Sequence, residues 1–373
     1  MAYLKCGTVA SIMENIAPKR LAENWDNVGL IIGDSSSSIK KIMVCLDLPA
    51  WVVDEAIDAN VDMIITHHPI IFNPIKKINN DTALGKKIMK LIKNNISVYT
   101  SHTNFDIAQG GLNDIFARQL GFVKTDIMKT MIEEKLYKII TYVPEGFEDK
   151  VLEQMCKAGA GFIGNYSDCS FRVKGIGAFK PQQGTNPYIG EVGKLEKVNE
   201  YRVETVVPED LLNSVIKAMH KAHPYEEVAF DIFELKNKGK SMGLGRIGHL
   251  ENKVTLVSYA KFVKTTLELD KVTFSGPPEA EIKTVALLNG SGNSFISAAK
   301  FSGADVLITG DLQYHQIIDA LEEGIYVIDA GHFGTEKIMI KAISDYLRTT
   351  LETLGYNAEI IESKSNIDVT MHI

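Results

Sequence analysis

Short apolar, β-branched runs alternate with segments of helical period through the first third of the chain. This pattern constrains the fold more than any other feature. "KKIMVCLDL" (40–48) reads as a buried strand and is followed by a helix around "AWVVDEAIDAN". "VDMIIT", a helix around "TALGKKIMKLIKNN", the strand "ISVYTS" and a helix from "GGLNDIFARQLG" come next. Strand–helix alternation implies a mainly parallel sheet covered on both faces. The last third repeats the style, with "KTVALLNG", "ADVLITG" and "GIYVIDAG" each preceding a helical pattern. The serine run 35–38 is a short polar loop.

Two pairings suggest that the outer thirds are distant copies. "VDMIIT" (61–66) resembles "ADVLIT" (304–309), and "ISVYTSHTNFD" (96–106) resembles "IYVIDAGHFGTE" (325–336). Each member of the second pair is an apolar strand, then a histidine, then an acid four positions later. The middle of the chain behaves differently. "YKIITYVPEGFEDKVLEQM" (137–155) and "YRVETVVPEDLLNSVIKAM" (201–219) share a strand, a Val-Pro-Glu turn and an apolar-periodic helix. Proline suits a helix start, where its missing N–H costs nothing. Strand-like stretches around "SFRVKGIGAF" and "VAFDIFEL" complete two βαβ units, the plan of a ferredoxin-like domain. The expected organisation is a split α/β domain (1–130 and 239–373) interrupted by a ferredoxin-like α+β insertion (131–238).

At 373 residues the chain can hold two or three domains and a full core. Its net charge of −7 does not favour nucleic acid or an anionic membrane. Cys6, Cys45, Cys156 and Cys169 lie far apart without a C-x-x-C pair, against a disulfide framework or thiolate zinc site. They read as buried small apolar residues. The first twenty residues lack the pattern of a secretory signal, and no apolar run approaches the roughly 18–20 residues that span a bilayer. A cytoplasmic protein is expected.

The histidines carry the chemistry. "ITHHPIIF" (65–72) places His67 and His68 at the end of an apolar run. Neighbours on an extended strand point to opposite faces, so only a bend, which Pro69 encourages, aims both at one cavity. His102 precedes Asp106, and His332 precedes Glu336, at the same spacing. Strand C-termini of a parallel sheet gather along one edge, where ligands bind. Thr66, Ser101 and Asp329 are expected near such ends, so the histidines and acids should converge there. Imidazole and carboxylate suit zinc, iron, manganese, cobalt or nickel. Five or six ligands exceed the need of one ion, and two ions bridged by a carboxylate or water use them all, with Glu336 a good bridge. A lone histidine at a strand end is more often plain hydrogen-bonded structure.

Weaker features surround these. "NWDNVGL" (24–30) sets Asp26 and Asn27 before the strand "GLIIG", either as an Asx-type turn or as site lining. The turn at Gly290 and Gly292 could offer N–H groups to an anion or phosphate. "QGGLND" (109–114) reads as a turn with Asn113 or Asp114 capping a helix. "HPYEE" (223–227) sets a histidine beside two acids, for which strand packing is the reading and a second metal site the alternative.

Together, "NWDNVGL", "ITHHPIIF", "SHTNFDIAQGGLND", "DLQYHQ" and "DAGHFGTE" resemble the Nif-three-like family, often described as GTP cyclohydrolase I type 2 homologues. "HPYEEVAFDIFEL" resembles the insertion of the longer bacterial members, similar in fold to the PII and CutA proteins. The resemblance implies two divalent metal ions per chain, zinc favoured and iron or manganese as alternatives, on His67, His68, Asp106, His332 and Glu336. It implies His102 as a ligand or its close support, and His315 as a proton-transfer or substrate group. It further implies a toroidal homohexamer with insertion domains over its openings. The implied reaction is hydrolysis of a nucleotide, hydroxide attacking guanine C8 of GTP with loss of formate. Phosphoester hydrolysis, or a metal-binding oligomeric adaptor without catalysis, are the rival readings.

Overall fold

The computed structural model describes residues 3–371. The chain divides into two compact units, residues 1–132 together with 242–373, and residues 133–241. Its first stretch runs α1 (Cys6–Ile16), β1 (Gly29–Ile32), β2 (Lys41–Cys45), α2 (Ala50–Asp58), β3 (Met63–Thr66), α3 (Ala83–Lys93) and β4 (Ser97–Thr100). Two short helices follow, α4 (Thr103–Ile107) and α5 (Leu112–Gln119), and then the long strand β5 (Thr125–Pro144). The middle holds α6 (Glu148–Lys157), β6 (Ser170–Phe179), β7 (Glu196–Pro208), α7 (Leu212–Ala222) and the long strand β8 (Phe230–Thr255). The last stretch runs α8 (Leu256–Thr266), β9 (Thr273–Ser275), β10 (Glu281–Ser291), α9 (Ile296–Phe301), β11 (Val306–Gly310) and α10 (Tyr314–Glu322). It closes with β12 (Tyr326–Asp329), α11 (His332–Glu336), α12 (Ile338–Thr353) and β13 (Glu359–Glu362).

In the first unit one sheet has the order β1-β4-β3-β2-β13. β13, β2, β3 and β4 are mutually parallel, and only the edge strand β1 runs against its neighbour. Both faces are covered, and the period-two rule shows in the burial. Ile42 and Val44 of β2 enter a cluster with α1 and α12, whereas Met43 and Cys45 enter the one beneath α2 and α3. A second group has β10, β11 and β12 parallel, flanked by antiparallel β8 and β9. Val285 and Leu287 pack under α5 and α8, while Ala286 and Leu288 pack under α9 and α10. Local signals place the helices: the Thr82 hydroxyl, for instance, accepts from Gly85 N at 3.0 Å and starts α3.

The paired sequence stretches occupy matching places. β3 lies parallel to β4, as β11 does to β12. Each second strand runs into a short helix carrying an acid at its end, Asp106 in α4 and Glu336 in α11. The aspartate before each first strand does the same job in both. Asp62 accepts from Lys40 N and Lys41 N at 2.7 and 2.9 Å. Asp305 accepts from Lys283 N and Thr284 N, both at 2.8 Å.

Residues 133–241 form two strand–helix–strand passages, with β6-β7-β5-β8 as the strand order and α6 and α7 packed over a separate core. Cys6 and Cys45 are buried, but Cys156 and Cys169 are half-buried, contrary to expectation, and all four are free. Among the described residues no helix is long and apolar enough to cross a membrane.

Candidate metal centre

The parallel strands of the first unit deliver the site. β3 ends at Thr66, and the chain then bends through His67 and His68; the Thr66 hydroxyl accepts no ring but donates to the His68 carbonyl. β4 ends at Thr100, so Ser101 and His102 follow directly, and α4 turns Asp106 back to the same place. β12 delivers His332 and, one helical turn on, Glu336. His67, Asp106 and Glu336 are buried, His67 completely.

Five of the sequence-predicted groups meet at close range. His67 Nε2 lies 3.6 Å from Asp106 Oδ1 and 3.7 Å from Glu336 Oε1. Glu336 Oε2 lies 3.1 Å from His68 Nε2 and 3.1 Å from His332 Nε2. Glu336 therefore turns one oxygen to each side. The ligand-capable atoms of His67, His68 and His102, and those of His68, His332 and Glu336, each lie within 4.8 Å of one another. Those groups do not include His315, which is exposed on the first turn of α10 with its ring against Tyr314.

Hydrogen bonding settles which ring nitrogen faces inward. His67 Nδ1 lies 2.8 Å from the Ser101 carbonyl, an acceptor only, so Nδ1 carries the proton. His68 Nδ1 bonds Asp47 at 2.8 Å, His102 Nδ1 bonds Asp26 at 2.9 Å, and His332 Nδ1 bonds Asp311 at 2.7 Å. Outer oxygens that hold Nδ1–H and leave Nε2 as a lone-pair donor are the usual support of metal-bound imidazole. His67 Nε2 and Glu336 Oε2 are buried without a hydrogen-bond partner. His68 Nε2 and His332 Nε2 face each other at 3.3 Å. Lone pairs crowded this closely repel unless a proton or cation sits among them. Ligand atoms on a tetrahedral ion with bonds of about 2.0–2.1 Å stand about 3.3 Å apart, which suits this donor set.

Electrostatics agree. Burial pulls the His67 pKa down, but the facing Asp106 and Glu336 charges outweigh it and raise it. Burial opposes protonation of His68 too, yet Asp47 and Glu336 lift it to about 10. The Glu336 carboxylate, 3.1 Å from its Nε2, lifts His332 to about 9. Against its burial, the surrounding imidazoles hold Glu336 well below the carboxylate range, whereas burial and the Glu336 charge raise Asp106. The cluster attracts positive charge, as protons or as metal.

Several supporting residues were not evident from sequence. Asn289, at the end of β10, donates to Asp106 Oδ1 at 2.9 Å and Glu336 Oε1 at 3.0 Å, locking both carboxylates. Gly290 must lack a side chain, since its φ is +64° and a Cβ would stand 2.4 Å from Glu336 Oε1. The phosphate-cradle expectation for this turn fails: Gly290 N donates to Thr335 and Gly292 N to the Gly310 carbonyl. Asn113 and Asp114 do not cap α5; Asn113 instead holds the Asp106 carbonyl and accepts from Asn289 N. Of the two readings for Asp26, the structure gives site lining: it bonds His102 Nδ1, and its other local contact, from the adjacent Asn27 N, is not an Asx turn. Burial works against its charge, but His102 and Thr103 hold its pKa down to about 2. His223 of "HPYEE" is a structural staple, bonded to the Tyr142 carbonyl and to Tyr225 N.

Beside His68 and His332 an open cavity of about 640 Å³ runs past Trp51, Lys87 and Phe333. Exposed Trp25 and Phe72 pair at 5.5 Å, and Trp25 stands edge-on to His102 at 5.9 Å.

A Halalkalibacterium halodurans protein named GTP cyclohydrolase 1 type 2 homolog is 43% identical to this chain over 361 residues, 97% of each. A Bacillus subtilis protein of the same name is 43% identical over 358 residues, 96% of each. The crystal structure of a Bacillus cereus protein related to NIF3 matches with a TM-score of 0.94 and 40% identity over 100% of both chains. A Staphylococcus aureus protein of solved structure matches with a TM-score of 0.81 and 28% identity, again over 100% of both. The family described as Duf34/NIF3 (NGG1p interacting factor 3) matches residues 4–368, and the chain belongs to it.

Proposed function

We propose that this protein is a metal-dependent hydrolase that binds two divalent cations per chain and acts on a nucleotide, opening the guanine ring of GTP at C8 with loss of formate. The observation that carries the metal reading is Glu336, whose two oxygens face two separate sets of imidazole lone pairs. His67, His68, Asp106, His332 and Glu336 would hold the cations, zinc first, with iron or manganese as alternatives. Bound cations would supply Lewis acidity for the electrophile and lower the pKa of water. The chain's own residues do the rest. Asp26, Asp47, Asp311 and the Ser101 carbonyl fix each ring through Nδ1. Asn289 keeps Asp106 and Glu336 aimed together. His102, held by Asp26 at the edge of the cluster, is placed to carry a proton at Nε2 or to serve as a further ligand. His315, exposed on α10, would be the proton-transfer or substrate group that the family resemblance implies. The nucleotide substrate is supported by the names of the curated relatives.

We assign the chain to the cytoplasm and to a toroidal homohexamer, with 131–238 as a ferredoxin-like PII/CutA-like insertion; the β6-β7-β5-β8 order supports that last point. An adaptor without catalysis is favoured by one observation: residues 133–241 contribute nothing to the histidine–carboxylate groups. Metal analysis of the purified protein, followed by formate assay with GTP, tests the proposal. Two ions per chain with formate release are expected. A loaded protein that releases none removes GTP as substrate, and fewer than two ions removes the dinuclear reading.

A further inference from the structure

We propose that residues 133–241 carry a binding site of their own, for a small organic cation such as a quaternary or alkylated amine. A cavity of about 460 Å³ lies wholly within this unit, bounded by β6, the loop that follows it and the "HPYEE" loop. This size is in the range of small-molecule sites. Four aromatic residues line it, Tyr142, Phe179, Tyr188 and Tyr225. Phe179 and Tyr225 stand 5.8 Å apart at 61°, and Tyr188 and Tyr225 stand 6.3 Å apart at 48°. Aromatic rings gathered beside a carboxylate are the side-chain set that takes up alkylated ammonium groups.

A carboxylate sits in the wall among these rings. Glu200 is 7% exposed, its Oε1 accepts from Tyr225 Oη at 3.0 Å, and among the described residues nothing donates to Oε2. Room for Oε2 depends on the neighbouring strand: a Cβ on Gly177 would lie 1.9 Å from it. Glu226 also lines the cavity and fastens the loop, accepting from Asn186 N at 2.9 Å. Glu227 adds a third acid against Lys180, so the described lining is acidic on balance. An anion would meet carboxylates there, and a neutral apolar ligand would leave the Glu200 charge desolvated with only the Tyr225 hydroxyl to offset it. A cation satisfies both the rings and the acid. His223 takes no part as a ligand, because both its nitrogens are engaged in holding the loop.

The test titrates the full-length protein with choline and with tetramethylammonium, using 3,3-dimethylbutan-1-ol as the uncharged isostere of choline. Saturable binding of at least one cation, with none by the alcohol, is expected. Glu200→Gln keeps an acceptor for Tyr225, and Tyr188→Ala removes an exposed ring, so both variants should fold with wild-type unfolding midpoints. Each should weaken the cation by roughly tenfold or more. Metal content should be unchanged in both. A trimethyllysine peptide that displaces choline would identify a protein-borne source of the cation, and its failure to do so a free small molecule. No saturable binding of either cation, equal binding of the alcohol, or unchanged affinity in Glu200→Gln overturns the proposal.

Discussion

The strand pair β3–β4 and the strand pair β11–β12 are built alike, yet they end differently. After Thr66 of β3 comes His67-His68-Pro69, and after Thr309, its counterpart in β11, comes Gly310-Asp311-Leu312. The first copy therefore puts imidazoles into the cluster from its first strand. The second puts a carboxylate there, and Asp311, held at a left-handed φ of 57°, steadies His332 from outside. In the first copy that supporting task passes to Asp26, from the loop before β1. Exposure follows the same division: the His67 side chain is 0% exposed and that of His332 is 36%. The first copy covers His67 and fixes it through the Ser101 carbonyl; the second leaves His332 open and fixes it through Asp311, which solvent can reach. A doubled scaffold thus gives two unlike sides to one pocket, and Glu336 faces imidazoles from both.

Removing the shared group should produce the largest effect. Glu336→Gln keeps the shape and the Asn289 contact through one oxygen but loses the charge that faces His67, His68 and His332. Metal content by elemental analysis should fall to half of the wild-type value or less, and any formate release should vanish. Two tightly held ions in this variant would mean that the two sides do not meet at Glu336.

The outer carboxylates separate the halves next. Asp26→Asn and Asp311→Asn each replace the charged carboxylate that fixes a ring with a neutral amide, and loss of such support commonly costs about 10–100-fold in metal affinity. Asp26 should be the costlier, because its side chain is fully covered whereas that of Asp311 is 53% exposed. Competition against a chelator measures both. Equal losses would erase the distinction between a closed and an open side.

A smaller, graded effect comes with pH. His68 and His332 are raised to about 10 and about 9 from an ordinary 6.5. A folded-state pKa above the unfolded one gives stability that is whole below pH 6.5 and is lost as pH rises through 9 and 10. Chelated protein should therefore lose unfolding temperature across that window. Cations displace the same protons, so loaded protein should hold its midpoint there, and the gap between the two should widen with pH. A gap that narrows would mean the raised imidazoles are not where the cations bind.

Much of this was legible beforehand, for identifiable reasons. His67, His68, Asp106, His332 and Glu336 follow apolar strands, so position along the strand stood in for position in space. Asn289 was not legible, because an asparagine before Gly290 reads as a turn and its two carboxylate partners lie 183 and 47 residues away. Asp47 and Asp311 are hidden for the same reason. The glycine turn misled, since the acceptors that engage Gly290 N and Gly292 N come from α11 and β11. α4 and α11 are five residues each, too short to leave a period, although each carries a decisive acid. β13 pairs with β2 from the far end of the chain, a register that no local pattern announces.

The smallest expected difference tests the repeat itself, away from the metal. Asp62 and Asp305 each hold two backbone N–H groups at the start of the preceding strand, at distances of 2.7 to 2.9 Å. Both are half-buried, so Asp62→Ala and Asp305→Ala should each cost about 1–2 kcal/mol in chemical unfolding, below the full range for charged hydrogen bonds because water can replace part of each. The two costs should match within a few tenths, which is the ordinary scatter of independent sites, and metal content should stay at the wild-type value in both. Were Asp62→Ala costly and Asp305→Ala neutral, the common device would be a coincidence of drawing. The likeness of the two strand pairs would then rest on topology alone.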